Sequence, residues 1–378
     1  ITVNVTTQIK YGETLFINVT VNETATGFVA VNIDGNIGIA YVHQGVAKFN
    51  ITGLAPGTYS NVRVTYYPDS PFFNGNVTNI TFRVDPTDDY PIDVKVDDIK
   101  YGENATVRVL VATDAVGNVT IYIDGVFKEN VTLVNGVAVL ENVSGLAGGK
   151  HVVNVTYNGG PRYAPKDKNN KFFMVNPTDD WDMSITAEYK PYSEYSVITV
   201  KTAPYNLTHR YLTITIDGIK HNVSIGDNGI ATLRLNNLSA GRHVANVSYV
   251  GDANYSAKHK NFFPDIPQAD PTLIITRVNG DVIVTIPKNA TGNISVFING
   301  KTYENKTVNG VATFKDVLNI GFNYVTASYP GDKNYTKEFN RTTFEIVKTG
   351  TDLTVDATPT SIILGNNVLI TVTMDNVT

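Results

Sequence analysis

Six aspartates in two short acidic segments are the residues whose type and spacing could bind a metal ion. Both segments contain Pro-Thr-Asp-Asp, as DPTDDYP in the first and NPTDDWD in the second. Ca²⁺ takes six to eight oxygen ligands, and clustered carboxylates could supply several of them. The alternative is a solvated acidic linker, because the two later linkers hold one aspartate each. Calcium is therefore the one cofactor to consider, and its predicted ligands are Asp85, Asp88, Asp89, Asp179, Asp180 and Asp182.

A lysine near the end of a predicted first strand suggests a second chemistry, a covalent cross-link. Lys10 and Lys100 could each form an amide with an asparagine of a last strand, releasing ammonia, if a buried carboxylate lies beside them. Asn79 and Asn170 are the corresponding asparagines. A solvated lysine is the alternative, since a glycine turn adjoins each lysine and Val278 replaces it in a later copy of the pattern.

Two histidines occupy a repeated position that is typical of a structural corner. His151 and His243 each lie two residues after a turn glycine, and Tyr59 holds the same place earlier in the chain. In Greek-key sandwiches a tyrosine near such a corner anchors the backbone by a hydrogen bond. The chain has no cysteine, and it contains no HExxH, GxSxG, GxGxxG, P-loop or EF-hand motif. The sequence therefore predicts a non-catalytic protein.

The triplet Asn-apolar-Thr/Ser recurs throughout the chain. About twenty-two Asn-x-Ser/Thr triplets occur, whereas the composition alone would give about six. Such a triplet is a glycosylation signal in secreted proteins. It is also the pattern expected of a half-buried strand, because residues i and i+2 share one face and the apolar residue between them faces the core. The excess favours glycosylation, and thus an extracellular location. The candidates are Asn50, Asn118, Asn154, Asn246, Asn293 and Asn334.

Composition favours strands and argues against a nucleic-acid partner. Charged residues make up 17% of the 378, and the net charge is −5 with no basic cluster. A nucleic-acid surface needs clustered Lys and Arg to displace counterions. No apolar run reaches the roughly 18 residues that would span a bilayer. Val, Thr and Tyr are abundant, and β-branched and aromatic side chains fit a pleated, half-buried surface.

These residues belong to a pattern that repeats about every 80 to 93 positions, the size of one β-sandwich. Each copy contains an Asp-Gly or Asn-Gly hairpin, a Gly-apolar-Ala step, a Leu-x-x-Gly turn and a strand ending in Tyr. Asp-Gly or Asn-Gly between alternating runs indicates a type I′ turn. The turn glycines are Gly35, Gly125, Gly218 and Gly300.

About seven strands per copy are predicted, and no helix. The fold class is therefore all-β, with tandem Ig-like Greek-key β-sandwich domains arranged as an extended rod. Four domains and the incomplete start of a fifth are expected, joined by short linkers. We call them repeats one to five, at residues 1–85, 86–176, 177–270, 271–348 and 349–378.

Several motifs together resemble the bacterial-Ig-like repeats of large adhesin-like surface proteins of methanogenic archaea. They are IKYGE, the IDG hairpin, the NGVA step, the L-x-x-G-x-[YH] corner and Y-x-G-D-x-N-Y. The resemblance covers essentially the whole chain, although the last motif reads YYPDSPF in repeat one and YNGGPRY in repeat two. It implies surface display, a tandem stalk and a role in attachment.

The leading functional prediction is a non-catalytic stalk of a cell-surface adhesin or extracellular fibre. Its partners would be other cells, surface glycans or copies of itself, with no nucleic acid. One alternative is a subunit of a surface filament or cell-envelope lattice polymerised by strand exchange. Another is a glycan-binding module, for which exposed aromatic residues would be the signature.

Overall fold

The computed structural model describes residues 1–204, 207–348, 350 and 352–374. Thr349, Thr351 and residues 375–378, which belong to the predicted repeat five, lie outside the described residues. The long regular elements are all β-strands, which confirms the all-β prediction. Among the described residues no helix is long and apolar enough to cross a membrane.

Repeat one is built from two sheets. Strands β1, β3 and β6 form a three-stranded sheet, and β2, β8, β7, β4 and β5 form a five-stranded sheet in that order. The strands are β1 Thr2–Val5, β2 Gln8–Lys10, β3 Leu15–Thr20, β4 Gly27–Ile33, β5 Asn36–Tyr41, β6 Val46–Ile51, β7 Gly57–Pro68 and β8 Asn76–Asp85.

Repeat two has the same two sheets, ordered β14-β11-β9 and β10-β16-β15-β12-β13. This Greek-key order is that of an Ig-like sandwich. The strands are β9 Asp93–Lys95, β10 Ile99–Lys100, β11 Ala105–Leu110, β12 Asn118–Ile123, β13 Val126–Thr132, β14 Val137–Val143, β15 Gly149–Tyr157 and β16 Lys166–Asn176.

Repeats three and four each have a three-stranded and a four-stranded sheet, and β22 pairs separately with β25. The strands of repeat three are β17 Asp182–Glu188, β18 Ser196–Ala203, β19 Tyr211–Ile216, β20 Ile219–Ser224, β21 Ile230–Leu235, β22 Gly241–Arg242, β23 Ala245–Tyr249, β24 Lys258–Phe262 and β25 Asp265–Ile266. Those of repeat four are β26 Ile274–Val278, β27 Asp281–Thr285, β28 Asn293–Ile298, β29 Lys301–Lys306, β30 Val311–Phe314, β31 Gly321–Tyr329 and β32 Glu338–Ile346.

The described part of repeat five is one antiparallel hairpin of β33 Leu353–Thr358 and β34 Leu369–Met374. All residues of both strands are exposed to solvent.

The core of each sandwich lies between its two sheets, because alternate residues of every central strand point inward. In repeat two, for example, Val107 of the smaller sheet and Ile121 and Val155 of the larger sheet are fully buried in one cluster. The first predicted strand of repeats one and two is interrupted, which the alternation did not predict. Its second half, β2 or β10, crosses to the other sheet and pairs in parallel with the last strand.

The chain divides into two compact units. The first contains Ile1–Asp180 together with the loop Gly251–Ala257 of repeat three, and the second contains Trp181–Val250 and Lys258–Thr378.

Candidate functional site: the junctions between repeats

A tyrosine is held at the same end of each of the first three repeats. Lys10 to Glu13 form a tight turn in which Gly12 has a φ of +91° and the Lys10 amide donates to Glu13 Oε2 at 2.7 Å. The Tyr11 amide then donates to the Asp85 carbonyl, the end of the last strand, at 2.8 Å. Tyr101 and Tyr192 donate in the same way to Asn176 and Pro267, at 2.8 and 3.0 Å. The IKYGE motif thus orients an aromatic ring.

The ring packs edge-on against the loop tyrosine of the following repeat. The pairs are Tyr11–Tyr163, Tyr101–Tyr255 and Tyr192–Tyr335, with ring centroids 5.8, 5.2 and 5.5 Å apart. Each pair lies inside one compact unit, since the loop that carries Tyr255 belongs to the first unit. A T-shaped pair of this kind contributes about 0.5–1.5 kcal/mol beyond its burial.

The linker joins the same loop through two backbone hydrogen bonds. At the first junction the Thr87 amide donates to the Arg162 carbonyl at 3.0 Å, and the Ala164 amide donates to the Thr87 carbonyl at 2.9 Å. Thr178 and Ala269 make the equivalent pairs of bonds at the second and third junctions, at 2.9 to 3.0 Å. These isolated bridges align the three junctions residue by residue.

Large aromatic residues of the first two linkers are buried in the repeat that they introduce. Tyr90 packs edge-on against Tyr157 at 6.0 Å, and Trp181 packs against Tyr249 at 5.4 Å. Lys166 Nζ lies 4.7 Å from the Tyr90 ring centroid and donates to the Tyr90 carbonyl at 2.7 Å. Burial raises the pKa of Tyr90 to about 12, so its hydroxyl stays neutral. These contacts attach the linkers firmly to the domains.

An asparagine completes the second and third junctions. The Gly148 amide of the Leu-x-x-Gly turn donates to Asn254 Oδ1 at 2.8 Å, and the Ala240 amide donates to Asn334 Oδ1 at 2.9 Å. An aspartate two residues earlier shapes the loop, because Asp332 Oδ1 accepts from the Asn334 and Tyr335 amides at 2.7 and 2.9 Å. The motif G-D-x-N-Y is therefore a junction motif.

An ion-pair corner supports the turn that receives the asparagine. His151 Nδ1 lies 2.6 Å from Asp124 Oδ2 of the IDG hairpin, and His151 Nε2 lies 2.7 Å from the Ala147 carbonyl. Because both partners are acceptors, the protonated form of His151 satisfies both contacts by donating from both ring nitrogens. His243 repeats the arrangement with Asp217 at 2.5 Å and Ser239 at 2.7 Å.

The other predicted corner residue, Tyr59, bonds to the equivalent carbonyl of its own repeat, that of the residue after the turn leucine. Tyr59 Oη donates to the Ala55 carbonyl at 2.9 Å. The four hairpin glycines also lie where a type I′ turn needs them, because they and their preceding Asp or Asn all have positive φ. Repeat four places Asn323 at the corner, where its Nδ2 donates to the Asn319 carbonyl at 2.6 Å. The repeat pattern did not predict Asn323, because the corner residue is Tyr or His in the other three repeats.

The predicted calcium ligands lie in the first two linkers, where some of them have protein partners. Asp88 Oδ1 is 2.5 Å from Lys10 Nζ, and Asp179 Oδ1 is 2.7 Å from Lys100 Nζ. The hydrogen bond from Lys10 lowers the pKa of Asp88. Asp85 accepts from Gln8 and pairs with Arg83. Asp89 and Asp180 lie in the linkers, whereas Asp182 begins strand β17. Within the described ranges no three acidic, His or Cys side chains form a group that could hold a metal ion.

The predicted cross-link partners are not brought together. Lys10 pairs with Asp85 in the parallel ladder, and Asn79 lies six residues back along the same strand, which is about 20 Å at about 3.3 Å per residue. Lys100 pairs with Asn176, and Asn170 is again six residues back. Each lysine reaches a linker aspartate instead, which is a contact between domain and linker that sequence reasoning did not predict.

The glycosylation candidates lie on strands or in a loop. The central apolar residues of the triplets at Asn118, Asn154, Asn246 and Asn293 are fully buried, as the alternation requires. Asn50, Asn118 and Asn293 are exposed, whereas Asn154 and Asn246 are half-buried. Asn334 is half-buried in the third junction. Glycosylation at these positions stays a prediction.

No protein-family model matches the chain, and no curated protein matches it. Among solved structures it is similar to the ICAM-5 D1–D4 ectodomain fragment, at 10% identity over 91% of this chain and 98% of that one, with a TM-score of 0.42. A 1.5-MDa bacterial ice-binding adhesin matches at 13% identity over 68% and 98%, with a TM-score of 0.26. Fibronectin(III)-like modules of Clostridium thermocellum CbhA match at 15% over 46% and 94%, with 0.19. Since all three TM-scores are below 0.5, the strand order alone defines the class, a tandem Ig-like β-sandwich repeat protein.

Proposed function

We propose that this chain is a stalk segment of an extracellular, non-catalytic adhesin, in which consecutive repeats hold one another in line. The observation that carries the proposal is the recurrence of one junction design, with a tyrosine pair and a backbone bridge at each of the first three junctions. A stalk must resist bending, and a short linker bonded on both sides restricts rotation between domains. The adhesive target would be another cell, a surface glycan or a copy of the protein.

Small-angle scattering of the full chain tests the stalk. Four in-line domains would reach about 150 Å, from strands of about 30 Å plus loops, and would have a radius of gyration of about 43 Å. A compact chain of this length would have about 21 Å. A compact value would reject the stalk. Protease shaving of intact cells of the native source tests the location, since an extracellular protein should be cut while a cytosolic marker survives.

A glycan-binding role is a second candidate, and a row of aromatic residues on repeat one favours it. Phe28 lies directly between Tyr41 and Tyr67 on neighbouring strands, with ring centroids 6.4 and 4.9 Å away. Tyr41 is 68% exposed and Tyr67 is 47% exposed. The electron-rich faces of such rings can contact the C–H groups of a sugar.

Repeat two offers a matched control for this candidate. Its residues at the positions of Phe28, Tyr41 and Tyr67 are the polar Asn118, Thr132 and Asn158. Binding of polysaccharides to the full chain, measured by calorimetry, should be lost in Tyr41→Ala and Tyr67→Ala but kept in Thr132→Ala. Equal binding by all three variants would reject the site.

A filament polymerised by strand exchange is a third candidate, and the β33–β34 hairpin favours it. Leu353, Val355, Ile370 and Val372 are each more than half exposed. An open hairpin of this kind could add to the sheet of another molecule. Light scattering at increasing concentration tests this, and a strictly monomeric chain would reject it.

A further inference from the structure

The Leu-x-x-Gly turns divide into two classes by what they offer the next repeat. The residue before the turn glycine is Gly148 in repeat two and Ala240 in repeat three, and each donates its amide to an asparagine. In repeat one that residue is Pro56, which has no amide hydrogen. An asparagine facing Pro56 would have no donor for its Oδ1.

The loop of repeat two that lies opposite Pro56 has no asparagine at the position that bonds to the turn amide in the other junctions. Arg162 holds the place of Asn254 and Asn334, since its carbonyl accepts from Thr87 as theirs accept from Thr178 and Ala269. The Arg162 side chain turns away from an asparagine-like contact: its Nη1 donates to Asp114 Oδ2 at 2.7 Å, and its guanidinium lies 5.5 Å from the Tyr11 ring centroid.

Other groups of the first junction converge on the same aspartate. Tyr163 Oη donates to Asp114 Oδ1 at 2.6 Å, and Tyr11 Oη donates to Asp114 Oδ2 at 3.3 Å. A cavity lined by Ala55, Pro56, Pro161 and Arg162 lies where the other two junctions have a direct hydrogen bond. In addition to the backbone bridge and the tyrosine pair, the first junction therefore has a charged side-chain cluster that contacts Tyr11 of repeat one, in place of a hydrogen bond from the turn amide.

We propose that these two positions form a pairing code that specifies which repeat can follow which. A turn with an amide at this position accepts a G-D-x-N-Y loop, and a turn with proline accepts a loop with arginine and a carboxylate partner. The partner of each turn is thus defined chemically, as an Ig-like repeat whose loop carries the complementary residue. A mismatched pair places an asparagine Oδ1 opposite a proline that has no amide hydrogen to donate, and such an unpaired polar group opposes a wrong neighbour. The code goes beyond the stalk function, since it concerns which neighbouring repeats can form this contact and not what the stalk attaches to.

Hydrogen exchange in the full chain, made without glycosylation, tests the code at the third junction. The Ala269 and Thr336 amides report on opening there, because they form the backbone bridge. Asn334→Ala and Ala240→Pro should each raise their exchange rates about five- to tenfold, the equivalent of one lost hydrogen bond. The double variant should add little to either single one. Ala240→Gly is the matched control, since it keeps the amide and copies Gly148, and it should exchange like the wild type.

The reciprocal test converts the first junction. Arg162→Asn alone should speed exchange of the Thr87 and Ala164 amides, whereas Pro56→Ala with Arg162→Asn should restore slow exchange by creating the amide–asparagine pair. Additive effects of Asn334→Ala and Ala240→Pro, or no recovery in the Pro56→Ala/Arg162→Asn variant, would overturn the code. If Ala240→Pro prevents folding, Asn334→Ala still decides, because unchanged exchange in it removes the pairing. A compact scattering profile would reject the stalk without affecting these results.

Discussion

The Gly148 amide donates a 2.8 Å hydrogen bond to Asn254 Oδ1, although 106 residues separate the two along the chain. The approach is close, since a Cβ built on Gly148 would lie 1.8 Å from the Ala253 carbonyl oxygen. The third junction accommodates Ala240 at the same place, so the second junction is the tighter of the two. The junctions therefore share a hydrogen bond but differ in the space around it.

Gly148→Ala should destabilise the second junction by about 1–3 kcal/mol, the usual cost of overpacking. Because backbone atoms block the new methyl group, the loop must shift and weaken its bridge to Thr178. Hydrogen exchange at the Thr178 and Ser256 amides measures this effect, and Ala240→Gly at the third junction is the control, since it keeps the amide and should leave exchange there unchanged. Unchanged protection would mean that the loop can move without loss.

The Tyr192–Tyr335 pair should show a coupling free energy of about 0.5–1.5 kcal/mol. Its rings are edge-on at 5.5 Å, and Tyr335 is buried whereas Tyr192 is half-buried. A double-mutant cycle with Tyr192→Ala and Tyr335→Ala, followed by hydrogen exchange at the Ala269 amide, isolates the pair from the burial of each ring. Strict additivity of the two substitutions would exclude a direct contribution.

His151 should titrate above its ordinary pKa and stabilise repeat two most at low pH. Burial lowers the pKa of His151, but the hydrogen bonds to the Ala147 carbonyl and Asp124 outweigh it and leave the pKa raised. Lys128 opposes the charge, and Phe173 stacks on the ring.

A folded-state pKa above the unfolded value determines how the free energy of unfolding changes with pH. The stabilisation is complete below about pH 6.5, the unfolded value, and is lost as the pH rises through the folded pKa. Histidine side-chain NMR on the full chain measures this pKa, and Asp124→Asn should lower it. A wild-type pKa below 6.5 would contradict the assigned protonation.

Glycosylation, where it occurs, should favour Asn50, Asn118 and Asn293 over Asn334. The first three are exposed, whereas Asn334 Oδ1 accepts a hydrogen bond from the Ala240 amide. The hydroxyl of Thr336, the third residue of the same triplet, donates to Asp270 Oδ1 at 2.7 Å. A glycan at Asn334 would have to fit inside a packed junction. Glycopeptide mass spectrometry of the native protein measures occupancy at each position. Full occupancy at Asn334 would show that the junction tolerates a sugar.

Much of the single-repeat fold was predictable because its signals are local. In repeat two the predicted hairpin at Asp124–Gly125 forms with φ values of +53° and +77°. The crossing of β10 to the second sheet was not predictable, because alternation within a strand does not say which sheet the strand joins. The contact of His151 with Asp124 was not predicted either. His151 was named as a corner residue and Asp124 precedes the turn glycine Gly125, but neither pattern gives the distance between the hairpin and the corner.

The sequence by itself determined the period of the repeat, the turns and the alternation of buried and exposed residues, since these depend on backbone preferences within a few positions. Only the tertiary structure decided which polar groups meet. Asn254 reaches the Gly148 amide, and Lys10 reaches Asp88 rather than Asn79, because folding brings together the end of one domain, its linker and the loop of the next. Hydrogen bonds act over about 3 Å, and sequence spacing carries no direct measure of that distance.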